Sequence, residues 1–275
     1  MSILFSGDFH ANEDHELSLI AKKSLLSKYG RDAYNDIRYH IILGDAGFLW
    51  PGNQKTDRFN YKVLAYRPFP ILCVMGNHEP IYSMMEKMQE TDIGVGETVY
   101  QIQNKPFVAY LKRGKAYAID GFKFLVLGGA LSVDKGYRKP GKTWWEAEYW
   151  LVEERKNLFK LLALQNTFDC VISHTGPNHI NRMLFRPMGY NPAKFRDAVA
   201  DLNDQIHERI QFKKWLCGHW HSDVYHYNPD TGREYMYLYS TTKILDRLDD
   251  QMIVYSEYGM NERLRTDGRY IDNHS

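Results

Sequence analysis

Asp8, His10, Asp45, Asn77, His78, His174, His219 and His221 sit in short polar patches: Gly7-Asp8-Phe9-His10, Gly44-Asp45, Gly76-Asn77-His78-Glu79, Ser173-His174 and Gly218-His219-Trp220-His221. Each patch directly follows an apolar, β-prone run. Strand ends are where an α/β or sandwich fold presents side chains to a shared cleft. Hard or borderline divalent cations prefer carboxylate, amide oxygen and imidazole ligands. Setting His78 aside, the patches supply two Asp, one Asn and four His, with no thiolate. Asp8 and His10 are two apart, so both can face one way on an extended segment, and His219 and His221 repeat that arrangement. Two such pairs with a bridging carboxylate make a cage for two ions about 3.5–4 Å apart, the ligand set of two-metal phosphoester chemistry.

The elements that must position these residues follow from periodicity. Residues 3–6, 40–43, 70–75, 169–173 and 214–217 read as buried strands ending at the patches. Helical spacing is expected over 16–28, with Gly30 as a stop, and over 57–66 and 81–89. The first half therefore reads β-α-β-α-β-α, which predicts parallel strands joined by crossover helices. Residues 107–112, 116–119 and 122–127 are predicted strands with hairpin signals between them. One long helix is expected over 144–164 and another over 192–210. Residues 224–227, 234–240 and 252–256 complete the strands. A single domain over 1–260 with a polar tail at 261–275 is the simplest organisation.

Composition sets bounds. The chain has 275 residues, and a net charge of +1 gives no global field for nucleic acid or an anionic membrane. Twenty Tyr, 13 Phe and 6 Trp can fill a large core. No apolar stretch approaches the roughly 20 residues of a membrane span, and no signal peptide is visible. Cys73, Cys170 and Cys217 sit in apolar runs without a C-x-x-C pair. They read as reduced structural thiols, hence a cytoplasmic protein.

In this order, Asp8-x-His10, Gly44-Asp45, Gly76-Asn77-His78-Glu79, His174 and Gly218-His219-x-His221 resemble the calcineurin-like metallophosphoesterase superfamily, and Gly128-Gly129-Ala130-x-Ser132-x-Asp134-Lys135 with Trp144-Trp145 resembles a subset of its bacterial and phage-type members. The ordered set is specific where any single patch is weak. The resemblance implies a four-layer α/β/β/α sandwich, with two mixed β-sheets flanked by helices and metals at one rim. It implies that Asp8, His10 and His221 hold one divalent ion, that Asn77, His174 and His219 hold a second, and that Asp45 bridges them. The ions would be Mn²⁺ by preference, with Fe, Zn, Ni or Mg as alternatives. His78 is implied to be a catalytic, non-ligating histidine that protonates the leaving oxygen or stabilises the transition state.

One departure bears on substrate. Many members continue the second motif as Gly-Asp-x-x-Asp, and the protein serine/threonine phosphatases add Arg-Gly. Here Phe48 replaces the second Asp, and Met75 stands before Gly76 where an Arg would be. Without those arginines a bidentate clamp on a phosphate monoester is missing. The expectation is a phosphodiester or a small phosphate or nucleotide substrate. Alternatives are a phosphomonoesterase or protein phosphatase, a nuclease, or a non-catalytic metal-binding scaffold for a protein partner. In the loop 129–145, Lys135 and Arg138 are candidate phosphate contacts. Trp144 and Trp145 either stack on a substrate or pack the next helix.

Overall fold

In a computed structural model of the chain, the structure describes residues 2–50, 62, 69–80, 85–103, 105–189, 191, 196–248 and 251–254. The first apolar runs form parallel strands Ser2–Ser6 (β1), Ile37–Ile42 (β2) and Ile71–Cys73 (β3). Met88–Thr91 (β4), Val99–Ile102 (β5) and Val108–Tyr110 (β6) follow. A second series comprises Lys115–Ile119 (β7), Phe122–Val126 (β8), Cys170–Ile172 (β9), Lys214–Cys217 (β10), Val224–Asn228 (β11) and Arg233–Tyr237 (β12). Lys243–Leu248 (β13) and Gln251–Val254 (β14) end the described chain. One sheet has eight strands in the order β14-β13-β1-β2-β3-β6-β5-β4, and the other has six in the order β11-β12-β10-β9-β8-β7.

Both sheets are mixed. The first is parallel from β1 through β2 and β3 to β6, with antiparallel pairs on either side. The second is parallel from β8 through β9 and β10 to β12. Period-2 side chains assign each strand two jobs. Ile3, Phe5, Ile41 and Leu72 face the other sheet and meet Phe124, Val126, Ile172 and Leu216 in one core. Leu4, on the opposite face of β1, packs with Leu25 of helix Lys22–Asp36 (α2), which follows Glu13–Ile20 (α1). Helices Val152–Leu164 (α3), Asn178–Phe185 (α4) and Ala198–His207 (α5) cover the second sheet, through Leu158, Ile180 and Leu202 against Val171 and Trp215. This is the expected four-layer sandwich.

Several local expectations change. The first helix is two helices, and Gly30 (φ 80) marks a kink inside α2 rather than its end, because only a residue without Cβ adopts that backbone readily. The 81–89 helix is not continued: residues 81–84 lie outside the described residues, and Met88 and Gln89 are strand, paired with Ile102 and Gln101. The 144–164 helix begins only at Val152. Arg113 captures the Ala147 and Tyr149 carbonyls, and the Trp150 indole N–H donates to Gly128 O, so the backbone there is held in a turn. Glu154 then accepts the Leu151 N–H and starts α3. Of the 192–210 helix, residues 192–195 lie outside the described residues and the described part is helical over α5, with Asp197 accepting the N–H groups of Val199 and Ala200. Apart from Lys62, the 57–66 helix lies outside the described residues, as does the 261–275 tail. The three cysteines are buried.

Candidate metal centre

Five parallel strands end at one rim, three from one sheet and two from the other. Beyond β1 lie Asp8 and His10; beyond β2 lies Asp45; beyond β3 lie Asn77 and His78. Beyond β9 lies His174, and beyond β10 lie His219 and His221. Side chains from two packed sheets can converge only where the backbones turn sharply after the strands. Asp8, His10, Asp45, His219 and His221 all take positive φ, between 38° and 67°. That conformation is uncommon for non-glycine residues and is concentrated at functional sites. Two glycines let the loops meet. A Cβ at Gly76 would lie 2.0 Å from Asp45 Oδ1, and one at Gly44 would lie 2.2 Å from His174 Nδ1.

The donor atoms cluster tightly. His10 Nε2 is 2.9 Å from His221 Nε2, 3.7 Å from Asp8 Oδ1 and 3.8 Å from Asp45 Oδ2. His174 Nε2 is 2.9 Å from Asn77 Oδ1, 3.3 Å from Asp45 Oδ2 and 3.9 Å from Asp8 Oδ1. Asp45 therefore faces both groups. The His219 ring stands 5.0 Å from that of His174. His174 Nδ1 donates to Leu43 O at 2.8 Å, which orients the ring and leaves Nε2 facing inward. His221 stacks on Tyr239 at 4.7 Å.

This set fits a cation. Both oxygens of Asp8 are buried without a hydrogen-bond partner. An unpaired buried carboxylate is costly. Burial pushes the Asp8 carboxyl up to about 8, with Asp45 adding and His174 opposing. Burial opposes charge on His174 too, but the Asp45 carboxylate prevails and holds it near 10. Burial depresses His10 to about 4. Asp8, His10 and His221, and Asp8, Asp45 and His174, each bring three ligand atoms within 4.8 Å of one another.

The matched residues extend well beyond the site. A model of the calcineurin-like phosphoesterases covers residues 1–223. The chain belongs to that family. It is a phosphoesterase, and its family chemistry is metal-dependent phosphoester hydrolysis. No curated protein matches its sequence. Among solved structures it is similar to phosphopantetheinyl hydrolase from Mycobacterium tuberculosis, at 14% identity and TM-score 0.46, covering 87% of this chain and 90% of that one. It is also similar to a dimetal phosphatase from Danio rerio, at 11% and 0.47 over 92% and 95%. A third is GAP50, the anchor in the inner membrane complex of Plasmodium, at 7% and 0.47 over 95% and 86%. Among the described residues no helix is long and apolar enough to cross a membrane.

Over the donor cluster the phosphoesterase has a cleft of about 600 Å³, walled by Trp50, Trp220, Val133 and Arg138. His78 lines it, with Nε2 3.7 Å from Asp45 Oδ2, 3.3 Å from Arg138 Nη2 and 3.2 Å from Asn77 Nδ2. N–H groups of Asn77 and Arg138 face this one nitrogen, and burial lowers the His78 pKa while Asp45 opposes the shift. Arg138 is the one Lys or Arg among the described lining residues. Its Nε donates to Asp134 at 2.6 Å, which aims the guanidinium. Lys135 does not line the cleft; its ammonium lies 4.0 Å above the Trp144 ring. Trp144 and Trp145 are likewise outside the lining, and Trp50 and Trp220 are the tryptophans that form it. Trp220 lies flat on Phe185, ring centroids 4.3 Å apart. Phe48 and Met75, in the positions of the missing Asp and Arg, are buried in the core under the first sheet.

Sequence reasoning gave Glu79 no role. Its buried carboxylate accepts the backbone N–H groups of Asp45 (3.2 Å), Ala46 (2.6 Å) and Gly76 (2.5 Å), and the Tyr110 hydroxyl (3.3 Å). It ties the loop bearing Asp45 to the loop bearing Asn77. Burial, reinforced by Asp45, raises its carboxyl to about 7. The signal that could have found it is its place two residues after Asn77, inside the third patch.

Proposed function

We propose that this phosphoesterase holds two divalent ions, Mn²⁺ by preference with Fe, Zn, Ni or Mg as alternatives, and hydrolyses a phosphodiester or a small nucleotide-like phosphate. The observation that carries the proposal is the convergence of Asp8, His10, Asp45, Asn77, His174, His219 and His221 at and beneath one cleft, with both Asp8 oxygens buried without a side-chain hydrogen bond. Asp8, His10 and His221 would hold one ion, Asn77, His174 and His219 the other, with Asp45 shared. Such ions neutralise charge on a phosphoryl group and acidify water. His78 would protonate the leaving oxygen or stabilise the transition state, and Arg138 beside it would bind a non-bridging phosphate oxygen. Trp50 and Trp220 exclude water from the rim. A single arginine supplies one charged fork, which suits a diester's one negative charge better than a monoester's two. Three buried thiols accord with a reducing cytoplasm.

The test is metal content together with hydrolysis of bis(p-nitrophenyl) phosphate and p-nitrophenyl phosphate in Mn²⁺. Two ions per chain and a preference for the diester are expected. A chain that binds no metal and cleaves neither ester would be a binding scaffold. Preference for the monoester would refute the substrate class alone.

A further inference from the structure

Asn77 is the one candidate ligand whose orientation its own chemistry leaves open. A carboxylate offers oxygen at both ends and an imidazole offers nitrogen. A carboxamide offers oxygen at one end and NH₂ at the other, and only the oxygen can ligate a cation. Something must choose which end faces the cleft. Asn77 Oδ1 lies toward His174, and Asn77 Nδ2 lies 2.9 Å from Ser132 Oγ. Ser132 Oγ in turn lies 2.5 Å from Glu148 Oε2, and the Ser132 backbone N–H points at the same oxygen from 3.3 Å. Ser132 is 3% exposed and Glu148 1%.

A carboxylate only accepts. The single hydroxyl proton of Ser132 is therefore committed to Glu148, and Ser132 shows Asn77 a lone pair. A lone pair receives the NH₂ end and repels the oxygen end. The acceptor-only carboxylate of Glu148 thus sets the direction of the chain Asn77 to Ser132 to Glu148, in the same sense as the His78 Nε2 that faces Asn77 Nδ2 at 3.2 Å, and leaves the amide oxygen toward His174.

The turn that carries Glu148 is fastened for this task. Arg113 donates to the carbonyls on either side of it, Ala147 at 2.9 Å and Tyr149 at 2.7 Å, and pairs with Glu154 at 2.7 Å. A Cβ at Gly129 (φ 84) would lie 2.2 Å from the Glu148 carbonyl oxygen, so the turn seats against bare backbone.

We infer that Glu148, acting through Ser132, is a positioning residue that holds Asn77 with its oxygen toward the metal centre. The inference rests on the proposed ligand role of Asn77. Glu148→Gln tests it with almost no change in volume. A glutamine NH₂ can donate to Ser132, which frees the Ser132 proton for Asn77 Oδ1 and turns the chain round.

Calorimetric titration of Mn²⁺ into the chelator-treated full chain is the readout. Removing an outer partner of a ligand costs about 10–100-fold in metal affinity, so Glu148→Gln should weaken one of two Mn²⁺ sites by at least about tenfold. The deciding comparison is the Asn77→Asp background, where the ligand has no directional preference. There Glu148→Gln should weaken binding by no more than about threefold. Unchanged affinity in the Asn77 chain, or the same tenfold loss in both backgrounds, would overturn the inference; the latter would mark a packing role. Should Glu148→Gln fail to fold, Ser132→Ala carries the same comparison with the same outcomes. A wild-type chain that takes up no Mn²⁺ would instead refute the proposed function itself.

Discussion

Glu79 offers the sharpest test of how the fold assembles its rim. Its Oε2 accepts from the Asp45 and Gly76 N–H groups, and its Oε1 from the Ala46 N–H and the Tyr110 hydroxyl. Glu79→Ala removes every acceptor and orphans three buried N–H groups. Each orphan costs about 1–3 kcal/mol, so the total is about 3–9 kcal/mol, toward the low end where water enters. Glu79→Gln keeps the shape. Its oxygen can serve Asp45 and Gly76, but its NH₂ then meets the Ala46 N–H, donor against donor. Losing one charge-assisted bond and gaining that clash costs about 2–4 kcal/mol. Tyr110→Phe removes only the 3.3 Å contact and should cost no more than about 1 kcal/mol. At about 2–4 °C per kcal/mol for a chain of this size, the three melting points should fall in the order Ala, Gln, Phe, with Gln lower than wild type by roughly 4–16 °C. Because Asp45 and Asn77 sit on the two loops that Glu79 ties, misplacement by about 1 Å should also lower kcat about a hundredfold in Glu79→Gln. Differential scanning calorimetry and steady-state hydrolysis in Mn²⁺ provide the two readouts. A Glu79→Gln enzyme with wild-type Tm and wild-type kcat would refute the reasoning.

Three further expectations follow from the same contacts. Asp45→Ala and His78→Ala should each abolish turnover, but only Asp45→Ala should reduce metal content, which elemental analysis of the purified chains will separate. Arg138→Ala should raise KM at least about tenfold, since one charged fork is lost, while Lys135→Ala leaves KM unchanged; equal effects would contradict the turning of Lys135 onto Trp144. His40 lies beneath Phe9 with its Nε2 2.7 Å from Ser6 Oγ, and burial depresses its pKa to about 3 from an unfolded value near 6.5. The folded state therefore binds fewer protons than the unfolded one, so the contribution is complete above pH 6.5 and declines as pH falls toward 3. Between pH 6.5 and 4.5 the loss is about 2–3 kcal/mol. Urea unfolding in chelator should show it, and His40→Gln should flatten the slope across that window; parallel slopes would disprove a buried neutral His40.

Much of the site was legible in the chain because ligand chemistry is a property of residue type. Asp, Asn and His directly after β-prone runs are visible without coordinates, and so was the family resemblance, whose implied architecture is the one observed. The substitutions Phe48 and Met75 were also plain, although only packing explains them: both fill the core under the first sheet. Local periodicity misjudged the segments whose conformation depends on distant partners. Met88 and Gln89 look helical alone and become strand because Ile102 and Gln101 pair with them. Residues 144–151 look helical alone and become a turn because Arg113, over thirty positions earlier, takes two of their carbonyls.

What the sequence by itself determined is the reaction class, since residue types alone name donor atoms that suit a divalent metal and a phosphate. The tertiary structure decided which of those atoms have a direction. The Leu43 carbonyl orients the ring of His174, Glu79 sets the distance between two loops, and Glu148 sets the face of Asn77. It likewise decided that Trp50 and Trp220 wall the cleft while Trp144 covers Lys135. Hydrogen bonds and stacking act over about 3–4 Å, and only the packing of one sheet on the other brings residues so far apart in the chain within that reach.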